Sequence, residues 1–273
     1  ERARQTFDLP NHKETLVAIE SDPDATNSRV QFIMKDAGKA EPDTTVPQYN
    51  QSMVKGLAAT MINNRLMEMV NSNNPPFTYG VVYHGGTYAR GKEAFQGMAV
   101  TKDGKQVDAL KVLLEEVERA SKFGFTAIEL ERAKSQILSN LEKTYNNRDK
   151  TESAMLVGEY VNSFLQSEPI PGITWEYNQT KSYLPSVNLD QVNNVVKGYV
   201  KDDSRVIVIT GPKKEGLVQP TESKVLKVLD EVKLAKLTPY EEKANIESLL
   251  KPFKSTGKIV KTETDSKLGT TTL

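Results

Sequence analysis

The sequence has few of the histidine and cysteine residues that zinc sites and nucleophile–base pairs most often use. Its 273 residues include two histidines, His12 and His84, and no cysteine. A nucleophile and base relay would therefore have to use one of these histidines, and no serine-elbow pattern accompanies either of them. The lack of cysteine also excludes disulfides and thiolate metal sites. We interpret both histidines as ordinary surface or strand residues.

Other site classes lack their sequence patterns. Gly85-Gly86 is not followed by the Lys-Ser/Thr pair of a phosphate-binding loop, so nucleotide binding has no support. Glu115-Glu116 and Glu241-Glu242 fall on predicted exposed helix faces, which is typical of solvated surface. Lys plus Arg equals Asp plus Glu at 36 each, so no net charge attracts nucleic acid or an anionic membrane.

The composition sets broad limits on class and compartment. With 37% hydrophobic and 26% charged residues, the chain is typical of globular proteins. No apolar run reaches the length of a membrane span, so we predict no membrane-spanning segment. The absence of cysteine fits a bacterial periplasmic or cell-envelope protein, and a cytosolic protein nearly as well.

Three consecutive helical patterns occupy residues 105–166. Thr126 with Glu129, and Asp149 with Glu152, have the spacing of capping boxes at the second and third helix starts. Apolar residues recur at spacings of three and four, so each helix should bury one face. The pattern predicts a shared core formed by Leu113, Leu114, Ile137, Leu141 and Val161.

Strand and helix patterns surround this layer. Short apolar or alternating segments predict strands at 15–20, 29–35, 77–88, 92–101 and 205–210, and helices are predicted at 47–70, 174–183 and 188–199. This order predicts an α+β fold, with an antiparallel-dominated sheet and helices mainly on one face.

The character of the sequence changes after Gly211. Residues 213–273 contain two predicted helices, 223–232 and 239–250, with narrow apolar faces. We predict that residues 1–212 form the main domain. Residues 213–273 are then a helical linker and the start of the next domain.

Several short segments, in this order, carry a resemblance to a known family. They are Asn64-Arg65-Leu66, Pro75-Pro76-Phe77, Phe123-Gly124-Phe125-Thr126, Glu129-Leu130-Glu131-Arg132-Ala133-Lys134, Asn147-Arg148-Asp149-Lys150-Thr151-Glu152-Ser153-Ala154, Pro169-Ile170-Pro171-Gly172 and Asn188-Leu189-Asp190. Together they resemble the second, non-catalytic domain of insulinase/pitrilysin-like zinc metallopeptidases, over residues 10–212. The remaining tail resembles the link into that family's second half.

The resemblance implies an architecture and a cofactor for a parent protein. Long members of the family have four repeated α+β domains, in two halves that close over a peptide. Their first domain binds zinc through an H-x-x-E-H motif. His12 and His84 are 72 positions apart (84 − 12), and neither has a Glu-His partner. We therefore expect zinc in the parent protein, with no catalytic residue, no metal ligand and no cofactor in this chain.

The resemblance also implies substrate contacts. In many members, an Arg and a Tyr on a later domain hold the substrate opposite the zinc. The matching positions here are Asn71 for the Arg, and Thr78 or Tyr79 for the Tyr. Asn cannot make the charge-assisted contacts of Arg, so Tyr79 is the one substrate-binding candidate. Arg65 is interpreted as a surface charge at a helix end rather than as a substrate clamp.

These expectations define a function and its alternatives. The chain is expected to be a substrate-chamber and scaffold domain of a zinc endopeptidase, inactive alone. Its expected partners are the catalytic zinc domain, the second half of the parent chain and a peptide substrate. One alternative is a catalytically dead copy that serves interaction or assembly, as in respiratory-chain core subunits. Another is a scaffold for a different peptide-handling partner. An H-x-x-E-H motif upstream in the full-length protein would favour the peptidase interpretation over these alternatives.

Overall fold

A computed structural model describes residues 9–38, 40–242 and 259–272 of the chain. It has two compact units, Glu1–Tyr240 and Glu241–Leu273. The strands of the first unit are β1 (Leu16–Asp22), β2 (Ser28–Lys35), β3 (Tyr79–Gly86), β4 (Glu93–Thr101) and β5 (Arg205–Pro212). Its helices are α1 (Val46–Val70), α2 (Gln106–Phe123), α3 (Ala127–Asn146), α4 (Ser153–Gln166), α5 (Ile173–Tyr183), α6 (Leu189–Lys197) and α7 (Glu222–Leu234).

The five strands form one sheet in the order β1-β5-β2-β4-β3. Only the β1–β5 pair is parallel; β5–β2, β2–β4 and β4–β3 are antiparallel. The predicted hairpin around Gly91 is present, and Gly91 adopts the positive φ of 70° that its turn requires. The α+β class with an antiparallel-dominated sheet is therefore confirmed.

One face of the sheet forms the core with the helices. Successive side chains of a strand point to opposite faces, so residues two apart share a face. The buried residues on this side of β2, β4 and β5 pack in one cluster with α1 and α2. These strand residues are Val30, Phe32, Met34, Phe95, Ala99, Ile207 and Ile209.

The capping box predicted for the second helix of the layer is present. At α3, Thr126 Oγ1 accepts from Glu129 N at 3.2 Å, and Glu129 Oε2 accepts from Thr126 N at 2.8 Å. Asn188 caps α6 in the same reciprocal way with Gln191. The second predicted box is wrong: Asp149 lies in a 3₁₀ turn, and Glu152 at the start of α4 makes no side-chain capping bond. The three-residue turn leaves Asp149 outside the helix it was predicted to cap.

The predicted helical core is correct only near the sheet. Leu113 and Leu114 are buried, whereas Ile137 and Leu141 are only partly buried. Val161 is 45% exposed, so its assignment to the core was wrong. The reason is that α3 buries residues only in its first two turns and α4 buries none.

Helix α7 belongs to the first compact unit. It packs on α2 and places Val225, Val228, Leu229 and Val232 in the same core cluster. The division at residue 212 and the linker role stay predictions about the parent protein. The second predicted linker helix is not helical at 239–242, and its remainder lies outside the described residues.

The second unit has one described feature, an antiparallel hairpin. Its strands are β6 (Glu263–Asp265) and β7 (Thr270–Thr272). Across the described parts of both units, we find no helix with the length and apolar character needed to cross a bilayer.

Candidate functional site

The predicted substrate-binding residue Tyr79 lies on the face of the sheet opposite the helices. It begins the edge strand β3 and is 47% exposed. Thr78, the other matched position, donates two hydrogen bonds to the carbonyl oxygen of Val100. Its backbone N–H donates at 2.8 Å and its hydroxyl at 3.0 Å. Asn71 caps the end of α1. Of these three positions, only Tyr79 has an exposed ring, and its substrate contact stays a prediction.

The strand register places an arginine in the same cross-strand row as Tyr79. Val100 of β4 pairs with Tyr79 on one side and with Arg29 of β2 on the other. The two side chains thus stand on one face, two strand spacings or about 9–10 Å apart. Arg29 is exposed and makes no ion pair or side-chain hydrogen bond among the described residues. The complete row is Glu20, Thr210, Arg29, Val100 and Tyr79.

We call the side chains on this side of the sheet the open face. Two further rows cross all five strands: Ala18, Val208, Gln31, Met98 and Val81, then Leu16, Val206, Ile33, Gln96 and Tyr83. A shorter row, Lys35, Ala94 and Gly85, follows on the same face. Tyr83 and Leu16, at the two edges, are 43% and 51% exposed. From the β3–β4 loop, the Tyr88 hydroxyl donates to Gln31 Oε1 at 3.5 Å. The open face is mainly apolar, and its exposed polar groups include Arg29, Glu20 and the phenols of Tyr79 and Tyr83.

Arg65 is buried in an ion network, so its assignment as a surface charge was wrong. Its Nε and Nη2 donate to the two carboxylate oxygens of Glu129, at 2.6 and 3.0 Å. Nη1 donates to Glu116 at 3.0 Å, and Nη2 also donates to the carbonyl oxygen of Gly124 at 3.0 Å. Glu116 is itself only 2% exposed, which corrects the prediction that it lies on a solvated face. The network holds α1, α2 and the start of α3 together.

Aromatic rings lie near both the guanidinium and its acids. The Arg65 guanidinium carbon is 4.8 Å from the centre of the Phe125 ring and 4.4 Å from that of Tyr240. Burial raises the pKa of Tyr240 to about 12, and its hydrogen bond with Glu68 adds to that rise. Burial also raises the pKa of Glu116, against the opposing effect of Arg65. Every polar group of this network is used internally, so the network is structural.

His84 is a strand residue, but its side chain is only 5% exposed. Its Nε2 donates to Asp36 Oδ2 at 2.9 Å, and its Nδ1 lies 3.9 Å from Glu93 Oε2. The ring stacks on Tyr199, with centroids 5.6 Å apart. His12 lies before β1, 72 residues from His84 in the sequence. Its Nδ1 donates to the carbonyl oxygen of Glu14 at 2.6 Å. The fold does not bring the two histidines into one group.

Asp36, His84 and Glu93 form the one cluster of potential metal ligands among the described residues. Their ligand atoms lie within 4.8 Å of one another. The two carboxylates, however, face different nitrogens of the imidazole ring, so a cation on either nitrogen would have only one of them beside it. Lys201 is already 2.8 Å from Asp36, and Lys55 is 3.5 Å from Glu93. These residues do not fit a zinc site of three or four converging ligands.

Helix α4 carries a second exposed apolar surface. Its apolar side chains recur at spacings of three and four residues, as on one face of a helix, yet none of them is buried. Met155, Val157, Tyr160, Val161 and Phe164 are between 45% and 67% exposed. An exposed cluster of this kind, unlike a scattered apolar residue, indicates a protein contact surface.

Comparison with known proteins identifies relatives of this chain. No protein-family model matches it. A protein of Arabidopsis thaliana described as "Zinc protease PQQL-like" is 25% identical over 238 residues, which are 86% of this chain and 21% of the relative. The chain thus spans about a fifth of the length of the curated relative that it matches.

Solved structures share the fold. The periplasmic protease PqqL from Escherichia coli superposes with a TM-score of 0.76 at 15% identity, over 96% of this chain and 29% of that one. A peptidase M16 inactive domain from Pseudomonas fluorescens has a TM-score of 0.51 at 19% identity, over 78% and 48% of the two chains. The chain is therefore similar in sequence to a zinc protease and has the fold of insulinase-like M16 peptidase domains, which confirms the resemblance expected from its sequence.

Proposed function

We propose that this chain is a substrate-chamber and scaffold domain of a longer insulinase-like zinc endopeptidase that hydrolyses peptides. In this proposal the zinc and its ligands belong to another domain of the parent protein. Residues 1–212 form the chamber domain with α7 packed on its core, and the rest of residues 213–273 leads into the next half. The relatives with the same fold are proteases, and one matched region is described as an inactive peptidase domain.

The open face is the observation that carries this proposal. A peptide in extended conformation presents apolar side chains, amides and a carboxylate terminus or acidic side chains. The open face offers half-buried apolar residues in its middle, with Arg29 and Tyr79 in one row. Arg can hold a carboxylate through two charge-assisted hydrogen bonds, and Tyr provides a ring and a hydroxyl.

Substitutions on the open face of the full-length protein test the proposal. Arg29→Gln combined with Tyr79→Phe should lower kcat/KM for peptide hydrolysis about tenfold or more, because charge-assisted contacts to the peptide are lost. The zinc content should not change. Lys197→Gln, an exposed substitution on α6, is the matched control and should leave kcat/KM unchanged. Equal kcat/KM in the double variant and the control would refute the chamber role.

A second function is supported by a different observation. The exposed apolar face of α4 suits a catalytically dead copy that serves assembly. Met155→Lys with Tyr160→Lys in the full-length protein distinguishes the two roles. If assembly is the function, the α4 variant should sediment as a smaller or less compact species than the wild type. The open-face substitutions should then leave the sedimentation coefficient unchanged. If the chain is a chamber domain, the open-face substitutions should be the ones that reduce peptide hydrolysis.

A further inference from the structure

A cavity of about 260 Å³ lies on the helix side of the sheet, beside the start of β5. Helix α2 contributes Leu114 and Val117 to its wall, and helix α7 contributes Leu229 and Val232. These four side chains give the lining its main apolar part. Its charged residues are Glu118, Lys201, Asp202, Arg205 and Lys233.

Arg205 is the unusual group in this lining. It is only 8% exposed, and Nε donates to Thr15 Oγ1 at 3.0 Å. That is its one side-chain hydrogen bond among the described residues, and no carboxylate there lies within ion-pair distance. The two terminal nitrogens of the guanidinium are therefore available to a ligand. Burial lowers the pKa of Arg205, and the nearby carboxylates only partly oppose this effect.

The other charged residues of the lining already have partners. Lys233 lies 2.8 Å from Asp202, and Lys201 lies 2.8 Å from Asp36. Glu118 pairs with Lys122 at 3.0 Å. An incoming anion would therefore meet Arg205 without breaking an existing pair. A buried guanidinium gains most from a partner that accepts through two parallel hydrogen bonds, as a carboxylate does.

We propose that this cavity is a binding site for a small monocarboxylate with an apolar body. The carboxylate would lie against the terminal nitrogens of Arg205, and the apolar body against Leu114, Val117, Leu229 and Val232. A single negative charge suits the site, because Glu118 and Asp202 also line it and would repel a second one. This chemistry is shared by a free short-chain acid and by the C-terminus of a peptide that ends in an apolar residue.

The volume limits the size of the ligand. One water molecule occupies about 30 Å³ in the liquid, so the cavity holds roughly eight to ten non-hydrogen atoms. Hexanoate, with about eight non-hydrogen atoms, fits this limit, whereas N-acetyl-leucine has about twelve, of which about nine fit when its acetyl group is left outside the cavity. Both have neutral amide counterparts of nearly the same shape, hexanamide and N-acetyl-leucinamide. The comparison of acid with amide therefore isolates the charge.

Calorimetric titration of the 273-residue chain tests the proposal. At least one of the two acids should bind one to one with a Kd below about 1 mM, and its amide should bind at least tenfold more weakly. Binding of hexanoate alone assigns a free acid, and binding of N-acetyl-leucine alone assigns a peptide terminus. Absence of binding by both acids, or equal binding of acid and amide, overturns the proposal.

Variants locate the binding in the cavity. Arg205→Gln should weaken acid binding at least about tenfold through loss of the charged donor, whereas Arg90→Gln, at an exposed arginine in the β3–β4 turn, should leave it unchanged. Leu229→Phe fills the apolar side and should abolish binding while Arg205 is intact. If Arg205→Gln does not fold, Leu229→Phe decides: full binding by that folded variant overturns the site.

Discussion

Glu129 holds Arg65 with both carboxylate oxygens and also accepts the backbone N–H of Thr126 at 2.8 Å. The first contact crosses from α3 to α1, over 64 residues of sequence, and the second fixes the start of α3. One carboxylate therefore joins a local cap to a long-range ion pair. The position of α3 on the rest of the fold depends on both.

Arg65→Met should strongly destabilise the chain. The substitution keeps much of the side-chain volume but leaves Glu116 and Glu129 buried without their cation, which typically costs about 3–5 kcal/mol. Urea unfolding followed by circular dichroism measures the change in free energy. Arg90→Met, at an exposed arginine in the β3–β4 turn, is the control and should stay within about 0.5 kcal/mol. A loss below about 1 kcal/mol for Arg65→Met would show that the network is dispensable.

Gly97→Ala should destabilise the centre of the sheet. A Cβ atom at Gly97 would lie 2.2 Å from the ring of Phe32, which pairs with it across β2 and β4. Phe32 is fully buried, so its ring cannot move aside freely, and overpacking of this kind costs about 1–3 kcal/mol.

Gly85→Ala in the neighbouring strand is the matched control. A Cβ atom there meets nothing within 4 Å, so the same chemical change should have little effect. The two variants are compared by their melting temperatures. Equal melting temperatures would contradict the close approach of Phe32 to the backbone of Gly97.

Most features that depend on neighbouring residues could be predicted from the sequence, although the local box of Asp149 and Glu152 was wrong. The capping box of Thr126 and Glu129, the turn at Gly91 and the alternation of β2 are set by side chains a few positions apart. Each was correct in type, and strand limits differed by a few residues. The α+β class follows from the order of these elements.

Features that depend on distant pairing could not be predicted. The burial of Arg65 requires acids 51 and 64 positions away, and a helix-end position carries no sign of them. Arg29 joins the row of Tyr79 only through the register of three strands. The apolar stripe of α4 indicates an amphipathic helix, but it does not say whether the covering surface lies in this chain.

Leu113→Ala and Val161→Ala should differ sharply although both lie in the predicted helical layer. Leu113 is fully buried, and its truncation should cost about 2–5 kcal/mol through lost burial and the cavity left behind. Val161 is 45% exposed on α4, so its truncation should stay within about 0.5 kcal/mol. Chemical denaturation of both variants gives the comparison. A large loss for Val161→Ala would mean that α4 is covered in solution.

Asp36→Asn should remove a stabilising term that depends on pH. Burial alone would raise the pKa of Asp36, but hydrogen bonds from His84 and Lys201 outweigh it and hold the pKa well below its usual range. Such a group stabilises the folded state above the unfolded pKa of about 3.9, and that stabilisation is lost as pH falls towards the folded pKa. The variant should therefore be less stable than the wild type at pH 6, and the gap should shrink below about pH 4. Urea unfolding between these pH values measures the gap. Asp203→Asn, at an exposed position without an ion pair among the described residues, should show a small gap that does not change with pH. A gap for Asp36→Asn that widens on acidification would contradict the assigned role of this carboxylate.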